Sequence, residues 1–468
     1  MMTNKNSNHL KMIIIISLPV IIQGLVFQLQ TIVDKAFLGK IDKNYLAAVG
    51  VAQLPFFSSV DALIAICTGL TIIVAKKYGA GKPKDIHESV NASIAFNTLL
   101  SFALFFIMFN FSDEIFLLMN VDPILLPYCN DYVRILSYLI LLLGIDMSLQ
   151  SALQGMGKTK PIMYIGFFKV GLNILLAWIL IYGKFGFPAM HVRGAALATM
   201  ISNVSGTILL TIYFMISKEL SANIKFLEII RLRWSLYREV IRLGLPTGTE
   251  YILWNVSNLI LVSMLNKQGP DVVSVYTVTC AIELFVYMIF NGIAKATLTL
   301  VGNSIGAGNE KASKSIMTIS IRYAMSLVLL FCIIFVVIPK PILSIFTNDK
   351  ALIDTSVLYL IFKGITMFPK SLNVVVGHGI RARGDVKWML YTQVIGSVFV
   401  VAFSYILINV FNVGVVSIYL TLFLDEFLRA TLNTIRFYHK NAFRSLPFLR
   451  GKGTVEVQPG ESAPAGRT

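Results

Sequence analysis

The chain has 468 residues, of which 56% are hydrophobic and only 14% charged, and its mean hydropathy is +0.75. That balance is too apolar for a water-soluble fold of this length, so the polypeptide belongs in a bilayer. A formal net charge of +16 would suit nucleic acid in a soluble protein, but no recognition module accompanies it, and much of it falls in loops between apolar stretches.

In chain order the apolar stretches predict helices over 12–33, 47–75, 89–110, 130–155, 161–183, 194–217, 240–266, 272–296, 316–338, 352–378, 387–409 and 413–437. Each has about the 20 residues that a spanning helix needs. The short alternating segments of an outer-membrane barrel are absent. The first apolar run has no small-residue cleavage site and continues into a full span, so it reads as part of the fold and not as a removable signal.

The halves repeat. Pro19 of Ser17-Leu18-Pro19 and Pro246 of Gly244-Leu245-Pro246 are 246 − 19 = 227 residues apart, and Gly79-Ala80-Gly81 recurs at the same offset as Gly306-Ala307-Gly308. Gly157 with Gly384 and Lys160 with Lys387 keep that register. Duplicated hydrophobic halves characterise secondary transporters with a substrate site between the halves. An even number of spans per half sends both halves into the membrane in the same direction. The expected fold is therefore all-α and polytopic: twelve transmembrane helices in two six-helix lobes, related by a pseudo-two-fold axis along the membrane normal.

Lobe boundaries follow: an N-lobe over 12–217, a connecting segment over 218–239 and a C-lobe over 240–440. In the connection Phe226, Ile229, Ile230, Trp234 and Tyr237 recur at near-helical spacing among basic residues, which predicts an amphipathic helix on the inner surface. Lys76, Lys77, Lys82 and Lys84 follow the second span, Lys158 and Lys160 the fourth, and Arg231, Arg233 and Arg238 lie between the sixth and seventh, so the positive-inside rule places both termini in the cytoplasm. Residues 453–468 lack aromatics and any helical period and read as a disordered tail or an expression scar.

Several chemistries are disfavoured. Gly157-Lys158-Thr159 resembles the end of a phosphate-binding loop, but the earlier glycine would have to stand where Ala152 is. Cys67, Cys129, Cys280 and Cys332 lack ligand spacing and read as buried thiols, and the histidines are too dispersed for a metal cluster. No nucleophile, base and orienting group form a supported constellation, so no enzyme activity or cofactor is expected. The energy source should be an ion gradient.

The ordered set Ser17-Leu18-Pro19, Val33-Asp34, Phe37-Leu38-Gly39 and Leu46-Ala47-Ala48-Val49-Gly50 resembles the multidrug and toxic compound extrusion (MATE) family, with likeness to its DinF-like branch. The two Gly-Ala-Gly segments and Leu153-Gln154-Gly155-Met156-Gly157-Lys158-Thr159-Lys160-Pro161 extend the resemblance over roughly residues 12 to 440. It implies that Asp34 binds the coupling proton or sodium ion, with Tyr132 and Asn173 as polar companions. A second aspartate, found in some members four residues after that asparagine, is Ala177 here, which leaves Asp34 dominant. Apart from the family, Asp34 lies roughly 33 Å along the first span. A carboxylate at that depth can exchange a proton or cation as its surroundings change. By position alone it reads equally well as an interfacial carboxylate balanced by Lys35.

In the second half Glu250 and Glu283 lie near mid-depth, with Lys363, Lys370 and His378 along the tenth span. Intramembrane charges are costly unless paired, which predicts a Glu283 to Lys370 lock, and in the first half a pairing of Lys169 with Asp146 or Asp61. Gln150, Lys169, Glu250, Glu283 and Lys370 are thus candidates for the substrate cavity or for charge pairs between helices. Pro19 and Pro246 are candidate bending points. The leading expectation is a monomeric proton- or sodium-coupled antiporter of the inner membrane, exporting cationic or amphipathic organic compounds by alternating access, with the coupling cation, a small-molecule substrate and lipids as partners. The alternative is a flippase for lipid-linked precursors of the same superfamily, in which Lys169, Lys363 and Lys370 would hold a pyrophosphate.

Overall fold

In the computed structural model the described residues are 2–217, 233–411, 413 and 415–439, and among them there are helices and turns but no strand. The first half comprises α1 (Met2–Gly39), α2 (Lys43–Gly79), α3 (Pro83–Asn110), the short α4 (Ser112–Leu118), α5 (Leu126–Gly155), α6 (Lys160–Tyr182) and α7 (His191–Ile216). The second comprises α8 (Trp234–Asn266), α9 (Pro270–Gly306), α10 (Glu310–Val337), the short α11 (Pro339–Ser344), α12 (Lys350–Arg383), α13 (Val386–Asn409) and α14 (Val416–Tyr438). Each predicted apolar stretch corresponds to one long helix, with the ends displaced in several cases.

Local sequence sets the ends. Asp42 caps α2 by accepting from the Asn44 amide, Asn309 caps α10 through Ala312, and Asp349 caps α12 through Ala351 and Leu352. Proline occupies the first turn of α3, α5, α6 and α9, where its missing N–H has no intrahelical partner to lose. At a rise of 1.5 Å per residue the 37 residues of α2 reach about 55 Å, well beyond the roughly 30 Å hydrocarbon layer, so its ends project.

Ten of these helices are long and apolar enough to cross a membrane by composition alone. The two other long helices, α8 and α14, carry charge in mid-sequence, and on α14 Asp425, Glu426 and Arg429 are buried within the bundle. Large apolar side chains such as Leu99, Phe102 and Phe106 on α3 point outward, the arrangement expected of a multi-pass membrane protein whose surface meets lipid.

The repeat is present in three dimensions. α2 starts at 43 and ends at 79 while α9 starts at 270 and ends at 306, and α3 and α10 match in the same way. Gly81 and Gly308 share left-handed backbone (φ 67° and 70°), as do Gly157 and Gly384 (φ 77° and 89°). A pseudo-two-fold operation also relates the contacts between halves. A Cβ on Gly292 would meet the Ser17 carbonyl and Ile21, and its counterpart is the meeting of Ala65 with Gly244 and Gly248. Thus α1 crosses α9 as α2 crosses α8. A hydrophobic core joins the halves, with Ile13, Ile16, Ile21 and Ile72 packed in one cluster with Ile293 and Val301.

The connection differs from the expectation where it is described. Residues 218–232, with Phe226, Ile229 and Ile230, lie outside the described residues, as does the 453–468 tail. Trp234 to Glu239 are not a separate surface helix but the first turns of α8. The Tyr237 hydroxyl donates to Asn97 Oδ1 at 2.8 Å and its ring stacks on Phe96, which draws these turns into the bundle. Pro19 and Pro246 sit inside continuous helices, each depriving a carbonyl one turn earlier of its N–H partner.

Candidate functional site

Asp34 lies near the end of α1, half-buried, one turn after the buried Gln30. From α6 comes Asn173, fully buried, with its side-chain amide 3.1 Å from Asp34 Oδ1. With nitrogen turned toward the carboxylate, Asn173 donates to Asp34 while its oxygen accepts from the Thr199 hydroxyl of α7 at 3.2 Å. Tyr132 of α5 is buried within electrostatic reach of Asp34 and accepts from Gln53 Nε2 at 3.5 Å. The Tyr182 hydroxyl donates to the Phe37 carbonyl at 3.1 Å, fastening the end of α1 to α6. Asp34 makes no ion pair among the described residues, with Lys35 or any other cation. A single carboxylate surrounded by amide and hydroxyl groups can hold a proton or a small hard cation. Ala177, one turn beyond Asn173, is buried in the apolar core and adds no second carboxylate.

A second polar centre lies in the same lobe. Lys169 Nζ is 3.1 Å from Asp146 Oδ1; Gln150 donates to Asp146 Oδ2 at 2.6 Å and Thr207 to Oδ1 at 3.2 Å. The Lys169 stem lies on Gly206, where a Cβ would come within 2.0 Å of it. Of the two expected partners for Lys169, the structure supplies Asp146 and leaves Asp61 apart.

In the C-lobe Glu283 is gripped from both sides. Lys370 Nζ lies 2.6 Å from Oε1 and Lys363 Nζ 2.5 Å from Oε2. Lys363 also stands 5.4 Å above the Tyr276 ring and 5.5 Å from that of Tyr419, a cation-π setting already filled by a tethered ammonium. Glu250 does not face Lys370; its Oε2 is 2.5 Å from Arg381 on α12. The pairing of a glutamate with a residue 131 positions away gave no sequence signal. A further network went unseen: Arg429 pairs with Asp425 at 2.5 Å and donates to Gln393, while Asn373 donates to Glu426 and Trp388 to Asn433. Asp425 and Glu426 stand at i,i+4 and i,i+3 spacing before Arg429, which was a usable clue.

The halves close against each other at the end that carries the Gly-Ala-Gly turns. A Cβ on Gly79 would fall 1.9 Å from the Asn303 carbonyl oxygen, and one on Gly306 would fall 1.9 Å from that of Lys76, so backbone meets backbone. Thr299 donates to the Gln154 carbonyl at 2.8 Å, and Asn303, with its amide nitrogen inward, donates to Ala75 O at 2.7 Å and Gly155 O at 3.3 Å.

Two six-helix lobes of this kind, joined at one end and each with a buried polar centre, define a membrane transporter of repeat architecture. The MatE family model matches the chain twice, over residues 19–179 and 246–406. Both segments keep the 227-residue offset, and the chain belongs to this family. It is 27% identical to the probable multidrug resistance protein NorM of Thermotoga maritima, over 91% of this chain and 92% of that one. It is 23% identical to the uncharacterized transporter YisQ of Bacillus subtilis, over 88% and 91%. Among solved structures, one described as the outward-facing conformation of a multidrug resistance MATE family transporter of the MOP superfamily superposes with a TM-score of 0.86 at 18% identity, covering 92% of this chain and 96% of that one. A Pyrococcus furiosus MOP superfamily transporter, described as having a binding pocket of reverse polarity, superposes at 0.85 with 19% identity and the same coverage.

Proposed function

We propose that the chain is a multidrug exporter that couples the inward movement of protons or sodium ions to the outward movement of organic compounds by alternating access. The observation that carries this reading is Asp34: a carboxylate near the end of a spanning helix, without a cationic partner and held by Asn173. An intramembrane carboxylate left unpaired is costly unless it exchanges an ion in use. The names of the NorM relatives support efflux of drugs as the activity.

Lys76, Lys77, Lys82 and Lys84 follow α2, which by the positive-inside rule supports a cytoplasmic location for the sealed end and for both termini, in the inner membrane. The conformation described above would then be the one closed to the cytoplasm, and the N-lobe and C-lobe would rock about the α1–α9 and α2–α8 crossings. The protein would work as a monomer, with lipid around it and no cofactor. A flippase for pyrophosphate-linked lipids would need free lysines, yet Lys169 is held by Asp146, and Lys363 and Lys370 are held by Glu283. Substrate-dependent ion flux in proteoliposomes, under separately imposed proton and sodium gradients, tests the proposal; absence of flux under both would reject it.

A further inference from the structure

The glutamates expected to attract a cationic substrate are not free to do so. Glu250 is neutralised by Arg381 at 2.5 Å, and Glu283 is flanked by two ammonium groups at 2.5 and 2.6 Å. Asp146 is likewise held by Lys169. Asp34 accepts from Asn173; one further intramembrane carboxylate has neither an ion pair nor a hydrogen bond among the described residues. It is Asp61, half-buried on α2.

Its position lies on the boundary between the lobes. Ala65, one turn farther along α2, is the residue that packs on Gly244 and Gly248 of α8, so Asp61 stands on the same face one turn beyond the tight crossing. On the other lobe Tyr251, 39% exposed, stands one turn beyond Gly248 on α8, on the same side of the crossing as Asp61. The pseudo-two-fold axis supports this juxtaposition. The counterparts of Tyr251 and Asp61, 227 residues away, are Gly24 and Met288, and a Cβ on Gly24 would lie 3.4 Å from the Met288 sulfur. On the α1–α9 side two apolar groups therefore fill the crossing. On the α2–α8 side the same place holds an acid and a phenol ring.

We propose that Asp61, with Tyr251 one turn beyond the same crossing on the other lobe, anchors the positive charge of an organic cation between the lobes. The proposal rests on the export reading above and names its substrate class. A carboxylate beside an aromatic face gives a lipophilic cation an ionic and a cation-π contact together. The Arg381 charge close to Tyr251 does not oppose this, because Glu250 takes it up. Contacts from both lobes also tie occupancy of the site to their relative position, as alternating access requires.

The test uses the full chain, purified in detergent, with tetraphenylphosphonium and tetraphenylborate, which match in size and differ in charge sign. The parent should bind the phosphonium. Asp61→Asn should weaken that binding by about tenfold or more, with the borate changed less than about twofold, and Asp61→Glu should retain phosphonium affinity. Tyr251→Leu should weaken the phosphonium several-fold while Tyr251→Phe keeps it. In the unmodified protein, phosphonium should protect Asp61 from carbodiimide labelling, a readout that requires no variant to fold. Undiminished phosphonium binding by a folded Asp61→Asn protein, or failure of protection, would overturn the Asp61 assignment while leaving ion-driven export standing. A parent that binds the borate and not the phosphonium would overturn both the anchor and the cationic substrate class.

Discussion

Lys76, in the last turn of α2, donates through Nζ to the carbonyl oxygen of Arg383 at the end of α12, 3.1 Å away and in the opposite lobe. Its counterpart 227 residues on, Asn303 of α9, reaches back to the Gly155 carbonyl at the end of α5. Each lobe thus caps the carboxyl end of a helix in the other, where unpaired carbonyls and the helix dipole favour a donor. Opening at this end must break both contacts.

Removing the two caps together, as Lys76→Met with Asn303→Ala, should favour the form open at the glycine turns. Two hydrogen bonds to helix-end carbonyls, one of them charge-assisted, contribute on the order of 2 kcal/mol, enough to shift the populations by more than tenfold. Spin labels at the exposed positions Lys82 and Asn309 should report a longer separation in the variant. Gly79→Val should lengthen it too, since its Cβ would strike the Asn303 carbonyl. An unchanged distance distribution in both would show that these contacts do not hold the closure.

The grip on Glu283 predicts unequal losses. Glu283→Gln strands two buried ammonium groups, whereas Lys370→Met leaves the Lys363 pair in place. The glutamate change should cost about 3 kcal/mol or more and the Lys370 change distinctly less. Thermal unfolding of the detergent-solubilised variants measures this, and the double variant should recover part of the glutamate loss. Equal, additive losses would mean that Lys363 does not share the carboxylate.

Much of the fold was legible in the sequence because bilayer physics is coarse: twelve apolar stretches and a 227-residue offset locate the helices and relate the halves. Lys363 and Lys370 could be placed on one face, being two turns apart on α12. The partner of Glu250 was hidden because Arg381 meets it only through tertiary packing. Asn373, Asn433 and Trp388 carry no charge and left no mark on a hydropathy profile, yet they join a buried network. Trp234 and Tyr237 have the spacing of a surface helix and Trp234 stays exposed, but Tyr237 is drawn inside by its contacts with Phe96 and Asn97, a tertiary arrangement that spacing does not encode. Asp34 stood out through family resemblance; its depth alone left Lys35 as an equal explanation.

Asn173 and Tyr132 should tune the ion site without supporting the fold. Asn173→Ala removes a donor to Asp34, and Tyr132→Phe removes the hydroxyl that meets Gln53. Either change should alter the ion concentration needed for half-maximal transport by several-fold, the asparagine change more strongly, with little loss of inserted protein. Unchanged ion dependence in both would displace the site from this trio.

The most direct test of the account is gradient-driven export by Asp34→Asn in proteoliposomes, measured beside the parent under a proton gradient and then under a sodium gradient. The substitution keeps the side-chain shape and removes the charge that exchanges the ion. The predicted result is a folded, inserted protein that still binds substrate but shows no transport above the gradient-free rate. Gradient-driven export at the parent's rate would contradict the assignment of Asp34 as the coupling site.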